Sequence, residues 1–361
     1  RTWDLVMGSV FIFRNGYWSR IMQKSVSRKP DQKGAQFRLK SRIAADTLLL
    51  VKHLMKQRRI LMKNNLKAFG LALLVLYLCT VNSKCFAGSD LEAIKKARVL
   101  RHLGVPYANF VTGSGDGFDV DIAKLFARHI GVKYEYVETN WSEVMEDLTG
   151  REIKVQNGQV SFGARKDIRG DIIANGFTIL DWRKDVVDFS DPIFPTQVWL
   201  ISRADNPLKP IIPSGDVFTD IAQVKSMMIG VRILGVTGTC LDPELYDIKG
   251  HGASVSLFSG NLNQIAPAVI KREADSALLD VPDALIALEK WPGMIKIIGP
   301  VSPLQQMGVA FRKDSPLLRA EFNRFLADIR SNGVYISLVK KYYPVVFDYY
   351  PDFFAAREAN D

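Results

Sequence analysis

Asp171–Phe194, DIIANGFTILDWRKDVVDFSDPIF, is the stretch from which the rest of the chain is best read. It opens on an apolar, strand-like run, Ile172, Ile173 and Ala174, and breaks at Asn175-Gly176-Phe177-Thr178. A short charged segment, Asp181 to Asp185, leads into Val186-Val187-Asp188-Phe189-Ser190-Asp191-Pro192. A strand that ends in Gly176 and Thr178 offers backbone N–H groups and a hydroxyl with little side-chain bulk around them. Arg183, five residues beyond Thr178 at the start of a helical turn, can reach back over that mouth. Its planar fork pairs two oxygens of a carboxylate at once, which Lys cannot do. The same residue also suits a solvated helix start, and residue types alone leave both readings open.

Working outward, 361 residues are enough for two lobes with proper cores. The formal net charge of +10 is unevenly spread. Residues 1–87 hold 17 Lys and Arg against Asp4, Asp31 and Asp46, so the remainder is slightly acidic, with 31 basic and 35 acidic residues. That removes the support a basic chain would give to a nucleic-acid partner. Cys79 and Cys85 lie in the N-terminal part, which leaves Cys240 alone beyond it. One thiol makes no internal disulfide, and the scattered His102, His129 and His251 form no metal-ligand spacing, so neither metal nor cofactor is expected. From Met62 the text MKNNLKAFGLALLVLYLCTVNSKCFAGSD has the layout of a secretory signal peptide. Lys63 and Lys67 precede an apolar run, Ala68 to Leu78, and Cys85-Phe86-Ala87 is a small-x-small cleavage site. The run is well short of the roughly 20 residues of a membrane span. Residues 62–87 are therefore expected to be cleaved after Ala87, with residues 1–61 a basic extension upstream of the true start. The rival is a cytoplasmic tail in front of an uncleaved anchor.

Beyond residue 88, Leu91 to Leu103 runs from a short amphipathic helix into a strand, and Pro106 to Phe110 is a loop with two aromatics. Gly113-Ser114-Gly115-Asp116-Gly117 lacks the register of a nucleotide loop and no Walker Lys follows, so it reads as a plain turn. Phe118, Ile122, Leu125 and Phe126 share one helix face, with Asp119 and Asp121 suited to the positive end of the helix dipole. A strand over Lys133 to Val137, a helix headed by Trp141, and the strand before Gly176 complete an α/β lobe. Val198-Trp199-Leu200-Ile201 reads as a strand leaving it. In the second half, Thr237-Gly238-Thr239-Cys240 follows a strand, and Gly238 with the N–H groups near Thr239 favours an anion unless Thr239 is simply a cap. Asp280 ends a buried-looking strand, where a helix cap is the plain alternative. Ile295 to Pro300 and Met307 to Phe311 form a return crossing, and Ser315 to Leu326 and Val334 to Tyr342 are closing helices.

Gly176, Thr178, Ile179, Arg183, Val187, Phe189, Ser190, Pro192 and Phe194 stand in the order of a known signature. The stretch resembles that of the family 3 extracellular solute-binding proteins, the polar amino-acid receptors of bacterial ABC importers, and the likeness runs from about Ala97 to about Pro351. The resemblance implies a two-lobed α/β type II periplasmic binding protein fold with a hinge of two crossing segments, residues 88–200 and 301–361 forming one lobe and 201–300 the other. It implies a monomer that captures a small zwitterion, an amino acid, and delivers it to an ABC permease, with no catalytic residue. Arg183, Thr178, Gly176, Thr239 and Gly238 would hold the ligand carboxylate and Asp280 its ammonium. Tyr107 and Trp141 would sandwich the side chain, unless they are ordinary packing. The chain departs from the family in two places. The turn at Gly238 is one residue short and carries Cys240 where a hydroxyl is common, and an insertion from Arg151 to Lys166 has neither a place nor a role in the likeness, the cleft rim being one location open to it. Two rivals share the fold: a cyclohexadienyl dehydratase-like lyase, with Asp280 or Glu143 as acid or base, and the sensory or lytic-transglycosylase-linked use of the same domain.

Overall fold

The computed structural model describes residues 89–156 and 159–358. The expected basic extension and signal peptide lie outside them. Among the described residues, no helix is long and apolar enough to cross a membrane.

The strands, in chain order, are β1 Val99–Gly104, β2 Lys133–Glu138, β3 Arg151–Gln156, β4 Gln159–Arg165, β5 Ile172–Ile173, β6 Val187–Phe189 and β7 Phe194–Thr196, followed by β8 Val198–Arg203, β9 Arg232–Gly235, β10 Ser254–Leu257, β11 Ser276–Asp280, β12 Ile295–Pro300, β13 Gln305–Met307 and β14 Ala310–Arg312. They assemble into two mixed five-stranded sheets, ordered β2-β1-β5-β14-β6 and β10-β9-β11-β8-β12. In the first, β1 runs parallel to β2 and β5, while β14 enters antiparallel from the far end of the chain. In the second, β8 lies antiparallel to both β11 and β12. The chain thus has the two-lobed α/β architecture that the resemblance implies. Between the lobes run two extended segments paired as the antiparallel ladder β7–β13, Phe194 to Thr196 against Met307 to Gln305. Val198–Arg203 is already a central strand of the second sheet, so the outward crossing lies in β7, ahead of the strand read as leaving the first lobe.

Each lobe is closed by helices whose apolar face follows from sequence spacing. Phe118, Ile122 and Phe126 of the helix Phe118–His129 are buried, and the Phe126 ring meets Phe322 of the closing helix Pro316–Ser331 edge-on at 5.1 Å. Burial of such rings is the main favourable term holding the lobe together. The aromatic tail packs too: the Phe354 ring lies 6.3 Å from Phe194 in the crossing ladder, and Tyr349 5.6 Å from Trp199. The inserted segment is a hairpin, β3 against β4, standing beside the helix Val144–Thr149.

Candidate functional site

The turn after β5 is shaped by a glycine and by a buried carboxyl. Gly176 has φ +68, and a Cβ there would come within 2.6 Å of the Phe110 ring. Its N–H donates to Asp119 Oδ2 at 2.6 Å. Asp119 therefore does more than face a helix dipole: it is 1% exposed, and burial pushes its carboxyl up to about 7 against the pull of that N–H. The Gly176 N–H is engaged within the protein, and the residue acts here by shaping the turn.

That turn presents Arg183. The short helix Asp181–Lys184 directs the side chain inward rather than into solvent, and the guanidinium lies 4.0 Å from the centroid of the Phe177 ring. Arg183 is 1% exposed. Nη1 donates to Thr178 O at 2.9 Å and Nη2 to Gly238 O, in the other lobe, at 3.2 Å. Among the described residues Nε has no hydrogen-bond partner, and no carboxylate forms an ion pair with the side chain. Burial lowers its pKa to about 10. A buried cation held by two carbonyls and an aromatic face, without a counter-charge, is costly unless something anionic comes to meet it.

In the second lobe, next to Cys240, is Asp280, fully buried at the end of β11. Oδ1 accepts from Asp283 N at 3.3 Å, so Asp280 does cap the helix Val281–Lys290, while Oδ2 receives the Cys240 thiol at 3.8 Å. Burial pushes the carboxyl up to about 6, opposed by Tyr107, the Asp283 N–H and Cys240. Cys240 stands between Asp280 and Arg183, with Thr178 beside it, and burial pushes the thiol up to about 12. Tyr107 is 1% exposed, more deeply packed than a half-buried loop aromatic, with its phenol beside Asp280. Its ring meets Trp141 edge-on at 5.5 Å. The hydroxyl of Thr239 is spent on its own turn, donating to Val236 O at 2.8 Å and accepting from Leu241 N at 3.0 Å. Gly238, at φ +75, gives its N–H to Asp242 and its carbonyl to Arg183.

The structure thus brings Arg183, Thr178, Asp280 and Tyr107 into one closed polar knot between the lobes, and places Trp141 and Gly238 on an adjoining cavity of about 990 Å³. That cavity is walled by the first-lobe loop and inserted hairpin on one side and by the second lobe on the other. Three contributors went unread in the sequence. Tyr246 donates to Cys240 O at 2.5 Å and receives Gln305 of the crossing segment at 3.4 Å. Asn263 accepts the Ala108 N–H across the lobes at 2.8 Å. Gln305 opens β13 and the other two lie in short 3-10 turns, with no local pattern that points to a site; only the fold brings them to the cleft. Among the described residues no group of His, Cys, Asp and Glu is arranged to hold a metal.

With that geometry in view, the profile of the bacterial extracellular solute-binding proteins, family 3, matches residues 103–345. Membrane-bound lytic murein transglycosylase F of Desulfosudis oleivorans is 28% identical over 239 residues, covering 64% of this chain and 46% of that relative, so the chain spans about half of its length. The lysine/arginine/ornithine-binding periplasmic protein of Escherichia coli is 24% identical over 243 residues, 65% of this chain and 81% of that one. An ancestral amino acid-binding protein, a precursor of cyclohexadienyl dehydratase, superposes with a TM-score of 0.54 at 25% identity, covering 70% of this chain and 98% of that structure.

Proposed function

This chain belongs to the bacterial extracellular solute-binding proteins, family 3, and we propose that it is a receptor that captures a single amino acid in its interlobe cleft and presents it to an ABC permease outside the inner membrane. The observation that carries the reading is Arg183: a fully buried guanidinium, bridging the lobes, with an unbonded Nε and no carboxylate of its own. A ligand carboxylate supplies the missing charge in the geometry that a planar fork matches best. Asp280, the buried carboxyl beyond Cys240, would take the ammonium, so the two residues favour a zwitterion over either charge alone. Thr178 and the Gly238–Thr239 turn would border the carboxylate, and Tyr107 and Trp141 the side chain. The path of residues 62–87 through the membrane and their removal after Ala87 belong to the same proposal, and an intact mass of the exported chain that does not start near Gly88 would remove them from it.

The test is calorimetric titration of the chain with the twenty amino acids, repeated with Arg183→Ala. Saturable binding of one or a few, weakened about a hundredfold or more in the variant, supports both class and anchor. Binding that Arg183→Ala leaves intact would rule the anchor out.

One observation favours a second reading. A buried carboxyl poised at about 6 beside a phenol and a thiol is what acid–base chemistry at neutral pH requires. Including prephenate and arogenate in the panel, with product analysis, separates a lyase from a receptor.

A further inference from the structure

Ile153 and Val155 stand two residues apart on β3 of the inserted hairpin, so strand alternation turns both to one face, and both line the cavity between the lobes. Across that cavity stand Leu257 and Phe258 of the second lobe. Val155 is 42% exposed and Leu257 64%, so each lobe holds apolar groups in water toward the same space. The charged lining has one sign. Glu138, Glu146, Asp242 and Glu244 border the cavity, and among the described residues no Lys, Arg or His does. Glu146 is tied to Lys166 and to the Ile153 N–H, and Asp242 accepts from Gly238 and Glu244 N–H groups. Glu138 and Glu244 are exposed and, among the described residues, in no ion pair. The cavity adjoins the knot through Gly238, whose carbonyl receives Arg183, the buried cation with a free Nε.

We infer that the inserted hairpin is a specificity element: with the facing second-lobe residues it walls a side-chain pocket that selects zwitterions whose long aliphatic side chain ends in a cation. The inference rests on the amino-acid-receptor reading above. With the ligand carboxylate at Arg183, the side chain leaves the knot past Gly238 and enters the cavity. Its methylenes lie against Ile153, Val155 and Leu257, where removing apolar area from water is favourable. Its charged end meets Glu138 and Glu244, on a wall that Trp141 and Trp182 share. An acidic side chain would enter a space lined by four carboxyl groups, of which, among the described residues, only Glu146 has a cationic partner, and they repel it.

Titration of the full chain with lysine, arginine, norleucine, glutamate and glycine tests this. Lysine or arginine is expected to bind at least about tenfold tighter than norleucine, the uncharged analogue of lysine. Combining Glu138→Gln with Glu244→Gln should weaken lysine about tenfold and leave norleucine unchanged. Combining Ile153→Ser with Val155→Ser should weaken lysine and norleucine alike, by about tenfold, and spare glycine. A thermal melt of each variant, unchanged from the native chain, establishes that the fold is kept. Norleucine or glutamate binding as tightly as lysine, or a serine variant indistinguishable from the native chain on every ligand, overturns the role of the hairpin and leaves the receptor standing. An absence of binding by any amino acid overturns both.

Discussion

Asp280 carries two duties that pull against each other, since it caps a helix and holds a carboxyl in a dry cleft. Its pKa of about 6 lies above the ordinary 3.8, so its contribution to stability is fully present below about pH 4 and is lost as pH rises through about 6. Asn keeps the cap without the charge. Asp280→Asn should therefore gain on the native chain by about 3 kcal/mol between pH 4 and pH 8, while losing the proposed ammonium partner. Melting curves of both proteins at the two pH values decide the point; an advantage equal at both would mean the carboxyl is already ionised at pH 4. Arg183 and Asp280 were legible in the sequence as candidates because each follows a strand and a turn, with a solvated helix start and a helix cap as the competing readings. Asp119 was not. An acidic residue in a first helical turn suits the dipole wherever its side chain goes, and only the packing of that helix under β5 reveals that its partner is the Gly176 N–H.

At the scale of elements, the Asn175–Thr178 turn is fixed by backbone geometry and the hairpin by tertiary placement. Gly176→Ala adds a Cβ at φ +68, 2.6 Å from the Phe110 ring, and should cost about 1–3 kcal/mol in a denaturant titration. Asp119→Ala, which orphans the Gly176 N–H, should cost a similar 1–3 kcal/mol. If Asp119→Ala is neutral, the hydrogen bond does not secure the turn. Regular elements such as Phe118–His129 and Val334–Tyr342 could be read from their spacing alone, because an amphipathic period is written locally. The inserted segment carries only a weak alternation, Ile153 and Val155 against Val160 and Phe162, among charged neighbours. Whether such a strand pair faces water or a cleft depends on what stands opposite, and that is a second-lobe property. Helix starts slip for the same kind of reason: Trp141 was read as heading a helix that begins at Val144, since Asn140 first turns the chain by accepting from Ser142 and Glu143 N–H groups.

For the whole molecule, the question is what balances the lobes against each other. They join through the β7–β13 ladder, whose Gln305 reaches Tyr246, and among the described residues their further polar contacts include Arg183 to Gly238 O, Ala108 N–H to Asn263 Oδ1 and the Tyr107 phenol beside Asp280. On the proposed receptor reading, bringing the lobes together buries Arg183 and Asp280, which would oppose closure unless a zwitterion meets both charges. Closure and capture would then be one equilibrium, and anything that weakens the closed arrangement would lower apparent affinity in proportion. Asn263 offers a clean lever, because its Oδ1 receives the Ala108 N–H on the loop beside Tyr107, and it bonds neither Arg183 nor Asp280. Asn263→Ala removes one hydrogen bond of the closed form, of net worth about 0.5–1.5 kcal/mol, and should weaken binding roughly threefold to tenfold. The fall should appear with every amino acid that binds, since no ligand contact has been altered. Small-angle scattering should show the native chain contracting on saturation and the variant contracting only at higher ligand concentration. A variant with unchanged affinity and unchanged contraction would mean that the lobes do not use this contact to close, and that the hinge is set by the crossing ladder alone.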